Sequence, residues 1–307
     1  MILGIDIGGT AVKMGLVTPQ GEILRRHEAP VAYDGYKTPI LDTVEREAIA
    51  FTQGAEDLQA IAVSATGQVD DRSGTVIGVN GAIPGYEGSP IRARLEARFG
   101  VPVRALNDAN AAVLGECAYG RGRGYDDVLM ITLGTGVGGG VVTGGRLLRG
   151  ARGIAGELGH APLDRTGRLC PCGRRGCLEQ FASATALVRR AEEALAETGL
   201  NGRILFTRAA QGDPAVLRVL DAWIDDIAEG IGGLVHIFNP ALVLIGGGVS
   251  AQEDLLIEPL RKKIRARVMP RFGEALIVEA AQLKNDAGLL GAVRFLLDEL
   301  PELEKTV

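Results

Sequence analysis

Aromatic side chains are scarce in this 307-residue chain, at 4%, and it holds only three histidines. A base-stacking platform needs aromatic faces, so a surface for single-stranded nucleic acid is not expected. No stretch approaches the roughly 18 consecutive apolar residues of a membrane span. Lys and Arg form no tail or cluster: 33 of them stand against 38 Asp and Glu, for a net charge of −5. That balance lacks the basic footprint of a nucleic-acid-binding protein. The N-terminus, MILGIDIGGT, has neither the basic start nor the apolar run of about 7–15 residues that marks a secretory signal. A cytoplasmic protein with no membrane or nucleic-acid partner is expected. Cysteines number four, and three of them lie between 170 and 177. In a reducing compartment such a cluster reads as a metal site rather than a disulfide framework.

Apolar residues and glycine are plentiful, at 46% and 44 residues respectively. The length is enough for two lobes. Residues 2–7 form an apolar strand that ends in Gly-Gly-Thr, and 11–17 and 22–29 can return as two further strands. A helix at 38–53, a buried strand at 58–64, a loop-rich stretch at 65–88, a helix at 89–99 and a strand at 102–106 follow. The opening pattern then recurs: strand 127–133, a Gly134-Thr135-Gly136 turn, and strands at 137–143 and 146–149. This repeat of organisation predicts two related lobes whose glycine turns face each other across a cleft. The alternative is two unrelated hairpins. The second half reads as helices at 183–198, 204–211 and 213–236, the last with Trp223, Ile227, Ile231, Leu234 and Val235 on one face. A strand at 241–245, a helix at 253–268, a strand at 275–280 and a helix at 286–299 complete an α/β pattern.

Asp6-x-Gly8-Gly9-Thr10-x-x-Lys13 places an acid at a strand end before a tight turn. Glycines let backbone amides approach phosphate oxygens, and a carboxylate can hold Mg²⁺ directly or through water. The bland alternative is an ordinary glycine hairpin. Gly134, Thr135 and Gly136 open a formal GxGxxG match, but a β-like segment follows where a dinucleotide fold needs a helix. A phosphate turn between strands fits better. Gly246-Gly247-Gly248, after a buried strand, could admit adenosine or could be a simple strand-to-helix turn. Asn107 and Asp108 follow a strand and open a helix. Capping is one reading. The other is that Asp108 accepts a hydroxyl proton during phosphoryl transfer while Asn107 binds substrate hydroxyls. His160, Cys170, Cys172 and Cys177 form a four-ligand set suited to a closed structural Zn²⁺ site. The Cys-x-Cys spacing is unlike a nucleic-acid finger, and the alternative is a set of free buried thiols. Glu157 and Glu179 flank these ligands and are free to bind a polyol, or are surface charges. Cys117 reads as a small hydrophobe on a helix.

Together, Asp6-Ile7-Gly8-Gly9-Thr10, Asn107-Asp108, Leu133–Gly140, Gly156–His160 and Cys170–Cys177 with Glu179 resemble the ROK family of sugar kinases and repressors. The resemblance runs from Asp6 to Lys284–Gly291. It implies an actin-like, ribonuclease H-like duplicated fold with two lobes around a cleft. The lobes are expected at 1–106, joined by a C-terminal helix near 287–307, and at 107–286 with the zinc motif. It implies ATP and Mg²⁺ as cofactors, with Gly8, Gly9, Thr10, Lys13, Gly134, Thr135 and Gly136 on the phosphates and Gly246, Gly247 and Gly248 near the adenosine. It implies Asp108 as base, and Asn80, Asn107, Glu157, His160 and Glu179 on sugar hydroxyls. A small-molecule hexose or hexosamine is the expected partner, phosphorylated at its 6-hydroxyl, and a homodimer is expected. Ile83-Pro84-Gly85-Tyr86 departs from the Asn-Leu-x-Trp form of glucokinases. With Thr66–Asp70 it looks more like members acting on N-acetylmannosamine or β-glucosides. The phosphate motif at residue 6 leaves no room for the repressors' N-terminal DNA-binding domain, so the kinase reading is favoured over a sugar-responsive regulator. A filament-forming ATPase is a weaker alternative.

Overall fold

A computed structural model describes residues 1–54, 57–78 and 83–305. Along the chain the strands are β1 (Ile2–Ile7), β2 (Ala11–Val17), β3 (Ile23–Pro30), β4 (Ala60–Ala65), β5 (Gln68–Asp70), β6 (Thr75–Gly78), β7 (Val103–Asn107), β8 (Val128–Leu133), β9 (Val137–Thr143), β10 (Arg146–Leu147), β11 (Leu242–Gly246) and β12 (Ile277–Ala280). The α-helices are α1 (Ile40–Thr52), α2 (Ile91–Phe99), α3 (Asp108–Tyr119), α4 (Glu179–Ala182), α5 (Ala184–Leu195), α6 (Gly202–Ala210), α7 (Pro214–Phe238), α8 (Glu258–Arg267), α9 (Pro270–Glu274) and α10 (Ala287–Glu299). Among the described residues no helix is long and apolar enough to cross a membrane.

The chain forms two compact units, one of Met1–Arg123, Leu147–Gly156 and Asn285–Val307, the other of Gly124–Arg146 and Glu157–Lys284. In the first, a five-stranded sheet runs in the order β3-β2-β1-β4-β7. β1 pairs antiparallel with β2 and parallel with β4, and β4 pairs parallel with β7. β1 is apolar on both faces because it lies inside the sheet. Its register sets Asp6 opposite Lys13 on β2 and Ser64 on β4. α10 covers this sheet, with Leu289 packed over Gly4 and Gly15. It also crosses α3 closely: a side chain at Gly115 would strike the Ala287 carbonyl, and one at Gly291 the Ala111 carbonyl. That crossing anchors α3, and hence Asp108 at its first turn, within the first unit.

The second unit repeats the plan in the order β10-β9-β8-β11-β12. β8 pairs antiparallel with β9 and parallel with β11, and β11 pairs parallel with β12. Counted within each five-stranded sheet, the two share one strand order, which is the recurrence visible in the sequence. α7 buries Trp223, Ile227, Ile231, Leu234 and Val235 as its periodicity requires. The expected helix over 253–268 is instead a π-turn, Glu253–Ile257, leading into α8. Pro259 sits at the start of α8, where its missing amide is tolerated. The stretch expected as a strand at 146–149 pairs only over Arg146–Leu147.

Candidate active site and metal centre

Asp6 is the penultimate residue of β1, and its Oδ1 accepts the Ser64 hydroxyl at 2.7 Å. Burial pushes the Asp6 carboxyl above the usual range, while the Ser64 hydroxyl and the Lys13 charge pull it back. The Gly8 amide donates to the Ala11 carbonyl at 3.0 Å and closes the turn. Tyr36 donates to the Gly9 carbonyl at 2.6 Å. Thr10 is exposed at the turn, with Gly8, Gly9 and Lys13 partly exposed beside it.

Asn107 is the N-cap of α3: its Oδ1 accepts from the Ala109 and Asn110 amides at 2.9 and 3.1 Å. Its amide donates to the Gly67 carbonyl and to Asp108 Oδ1, each at 2.9 Å. The cap and the bond to Asp108 therefore use both ends of this side chain. Asp108 Oδ1 also accepts the Ala109 amide at 2.8 Å. An acid at a helix start is favoured as the anion by the helix dipole. Tyr86 is 2% exposed, and its hydroxyl has no hydrogen-bond partner among the described residues. Burial pushes its pKa upward, and the charges of Asp108 and Asp6 add to this. Cys117 on α3 is half-buried, and burial with the Glu116 charge pushes its thiol up to about 12, which makes it inert. Asn80 lies outside the described residues.

In the second unit, the Gly134 amide donates to the Gly136 carbonyl at 3.0 Å, closing the turn between β8 and β9. Thr185 and the Ala184 amide hold that turn through the Thr135 and Gly134 carbonyls at 2.8 and 2.9 Å. The Val137 amide, just after Gly136, donates to Glu179 Oε2 at 3.1 Å. Glu179 opens α4, and its Oε1 lies 3.7 Å from Cys170 Sγ. One carboxylate thus touches both the glycine turn and the cysteine cluster. Gly247 has φ +90°, and a side chain there would strike the Leu133 carbonyl. Around Gly134 and Gly248 there is open space within 4 Å of where a β-carbon would sit.

The ligand atoms of His160, Cys170, Cys172 and Cys177 all lie within 4.8 Å of one another. Zn–S bonds of about 2.3 Å and Zn–N bonds of about 2.0–2.1 Å imply tetrahedral edges of about 3.8 Å (S–S) and about 3.6 Å (S–N). Here Cys172 Sγ stands 3.6 Å from Cys177 Sγ, and Cys170 Sγ stands 3.6 Å from His160 Nδ1. The sulfurs are too far apart for a disulfide, whose bond is about 2.05 Å. His160 Nε2 lies 3.8 Å from Glu157 Oε2, beyond hydrogen-bond distance. Gly173 and Gly176 have φ of +86° and +68°. Those left-handed turns let Cys170, Cys172 and Cys177 converge. Burial raises the thiols of Cys170 and Cys177, the latter to about 12. A bound metal would reverse this by holding the thiolates.

The sequence model described as ROK family matches residues 2–299. The chain belongs to the ROK family. A glucokinase of Thermotoga maritima is 36% identical over 97% of this chain and 98% of that protein. A beta-glucoside kinase of Listeria innocua is 37% identical over 97% of this chain and 98% of its own length. A crystal structure of a ROK family glucokinase from Streptomyces griseus, in complex with glucose and AMPPNP, superposes with a TM-score of 0.84 at 35% identity, covering 96% of this chain and 98% of that one.

For this family member, the first unit brings together Asp6, the Gly8–Thr10 turn, Lys13, Asn107 and Asp108. The second brings together the Gly134–Gly136 turn, Glu157, Glu179 and the ligand cluster. Sequence reasoning missed Ser64 and Tyr36. Ser64 had a signal, a lone hydroxyl in an otherwise apolar buried strand. Tyr36 had none, because its contact with Gly9 spans 27 positions through a loop.

Proposed function

We propose that this protein transfers the terminal phosphoryl group of ATP to the 6-hydroxyl of a hexose, with a glucose-like sugar as acceptor and Asp108 as general base. That the chain is a sugar kinase follows from its full-length similarity to named sugar kinases. The observation that carries the finer reading is the setting of Asp108. It stands at the start of α3, with Oδ1 held by the Asn107 amide and the Ala109 amide. A fixed carboxylate of this kind can take the acceptor proton as the new O–P bond forms and the bond to the ADP oxygen breaks. The Gly8 and Gly134 amides close the turns at Gly8–Thr10 and Gly134–Gly136, the remaining backbone amides of those turns receive phosphate oxygens with Lys13 adding charge, and Gly246–Gly248 flank the adenosine. Asp6 would hold Mg²⁺ directly or through water, and the ion would supply charge neutralisation on the phosphates. His160, Cys170, Cys172 and Cys177 would hold Zn²⁺ in a structural role, since four protein ligands leave no open position. Bound there, it would hold Glu157, His160 Nε2 and Glu179 for the sugar hydroxyls.

A second acceptor class, N-acetylmannosamine or a β-glucoside, is favoured by Ile83-Pro84-Gly85-Tyr86 and by the Listeria innocua relative. ADP release measured across glucose, mannose, fructose, N-acetylglucosamine, N-acetylmannosamine and cellobiose decides between them, with ³¹P NMR locating the new ester. Glucose is expected to give the highest kcat/KM and a 6-phosphate. A higher value for another sugar would replace glucose as acceptor, and no sugar-dependent ADP release would overturn the reading.

A further inference from the structure

Two buried polar side chains of the first unit serve neither the phosphate turn nor the candidate base. Asp71 is 4% exposed and Asn110 is 2% exposed. They come from different elements, the turn after β5 and the first turn of α3, yet both grip the same segment, Leu147–Gly156. Past Leu147 this segment has no helix or strand, and it runs directly into Glu157 and His160. Asp71 Oδ2 accepts from Arg149 Nε at 2.5 Å. Arg149 also donates through Nη1 to Glu299 at 2.7 Å, and its guanidinium lies 5.2 Å from the centre of the Phe295 ring. Gly153, with φ +73°, sits so close to the Asp71 carboxylate that a side chain there would collide with it. Asn110 Nδ2 donates to the Ala155 carbonyl at 2.9 Å. The Ala155 amide returns to the Arg149 carbonyl at 3.2 Å.

The segment is therefore fastened at 149 and 155, with Gly153 packed against Asp71 between them. An ordinary loop lies on the surface and satisfies its polar groups with water. Here Asp71 Oδ1 and Asn110 Oδ1 remain buried with no hydrogen-bond partner among the described residues. Leaving such atoms unsatisfied is costly, and a fold that keeps them is holding geometry. Asn110 also stands two residues after Asp108 on α3, so one helix turn bears both the candidate base and a fastener.

We propose that Asp71, Arg149 and Asn110 are positioning residues for the acceptor sugar, fixing the segment that delivers Glu157. This rests on the sugar-binding role proposed above for Glu157. The test is a double substitution. Arg149→Met alone leaves the Asp71 charge buried and unpaired, so its Tm falls. Arg149→Met with Asp71→Leu removes both charges, and its Tm returns toward the parent. In that double variant the KM for the sugar is expected to rise about tenfold, since small misplacements of binding groups are expensive. The KM for ATP and kcat should stay close to the parent. A purely structural ion pair gives the opposite result: parental KM for the sugar in the double variant. If the double variant does not fold, Asn110→Leu is read in the same way. Glu157→Gln separates the two levels. Unchanged sugar KM in Glu157→Gln overturns the Glu157 role and, with it, the positioning proposal. A raised KM there, with a parental KM in the double variant, overturns only the positioning role.

Discussion

Gly136→Ala is a one-carbon test of how Glu179 is held. The new β-carbon would lie 3.3 Å from Glu179 Cδ and well inside contact with Oε2. Carbon–oxygen contacts settle at about 3.3–3.6 Å, so the carboxylate oxygen must retreat by roughly 1 Å. Its bond from the Val137 amide starts at 3.1 Å. A retreat of that size breaks it, and a hydrogen bond to a charged group is worth about 1.5–3 kcal/mol. A Glu179 that binds the sugar would then be displaced from its position, and because misplacement of a binding group by about 1 Å is costly, sugar affinity should fall by roughly tenfold or more. Gly136 is not among the positive-φ glycines, so the substitution tests space rather than backbone strain. Gly134→Ala is the control, because nothing lies within 4 Å of its β-carbon position. It should leave Glu179 and sugar affinity alone and alter only ATP. Calorimetric titration with sugar and steady-state kinetics on both variants give the readout. Parental sugar affinity in Gly136→Ala would refute the role of Glu179.

Other outcomes follow from the same geometry. Elemental analysis should find one zinc per chain, and a strong chelator should lower the Tm by roughly 10 °C, because the stretch it ties together has little regular structure of its own. Folded, active protein with no metal would contradict the site. Asp6 is held above the usual carboxylate range by burial, so folding binds its proton more tightly and stability falls as pH rises from the unfolded pKa through the folded one. Asp6→Asn should therefore raise the Tm of the ligand-free protein at pH 7 and lose that gain near pH 4; a lower Tm at pH 7 would be the wrong sign. Tyr86→Phe removes a buried hydroxyl without a partner among the described residues, so its Tm should hold or rise. A fall of several degrees would show that the hydroxyl is satisfied.

Strand 2–7, the glycine turns and the second strand set at 127–143 were legible because apolar runs and Gly clusters are local signals. The ligand cluster was legible because Cys170–Cys177 lie close in sequence and need only two left-handed glycines to converge. Asn107 was harder. Capping and hydroxyl binding use the same residue type at the same place, and the hydrogen bonds to Ala109, Asn110 and Gly67 make the cap visible only in the fold. The grouping of α3 with α10 depends on close contacts of Gly115 and Gly291, which carry no local signature. Asp71 and Arg149 are 78 positions apart, and neither reads as more than surface charge until the fold brings them together.

Asp108→Asn is the most direct measurement. Asparagine keeps an oxygen to accept from the Ala109 amide, so α3 and its cap should stand, and it removes only the basic carboxylate. The account predicts that kcat falls about 10²–10⁴-fold, while sugar and ATP affinity, zinc content and Tm stay near the parent. A kcat within a few-fold of the parent would contradict it.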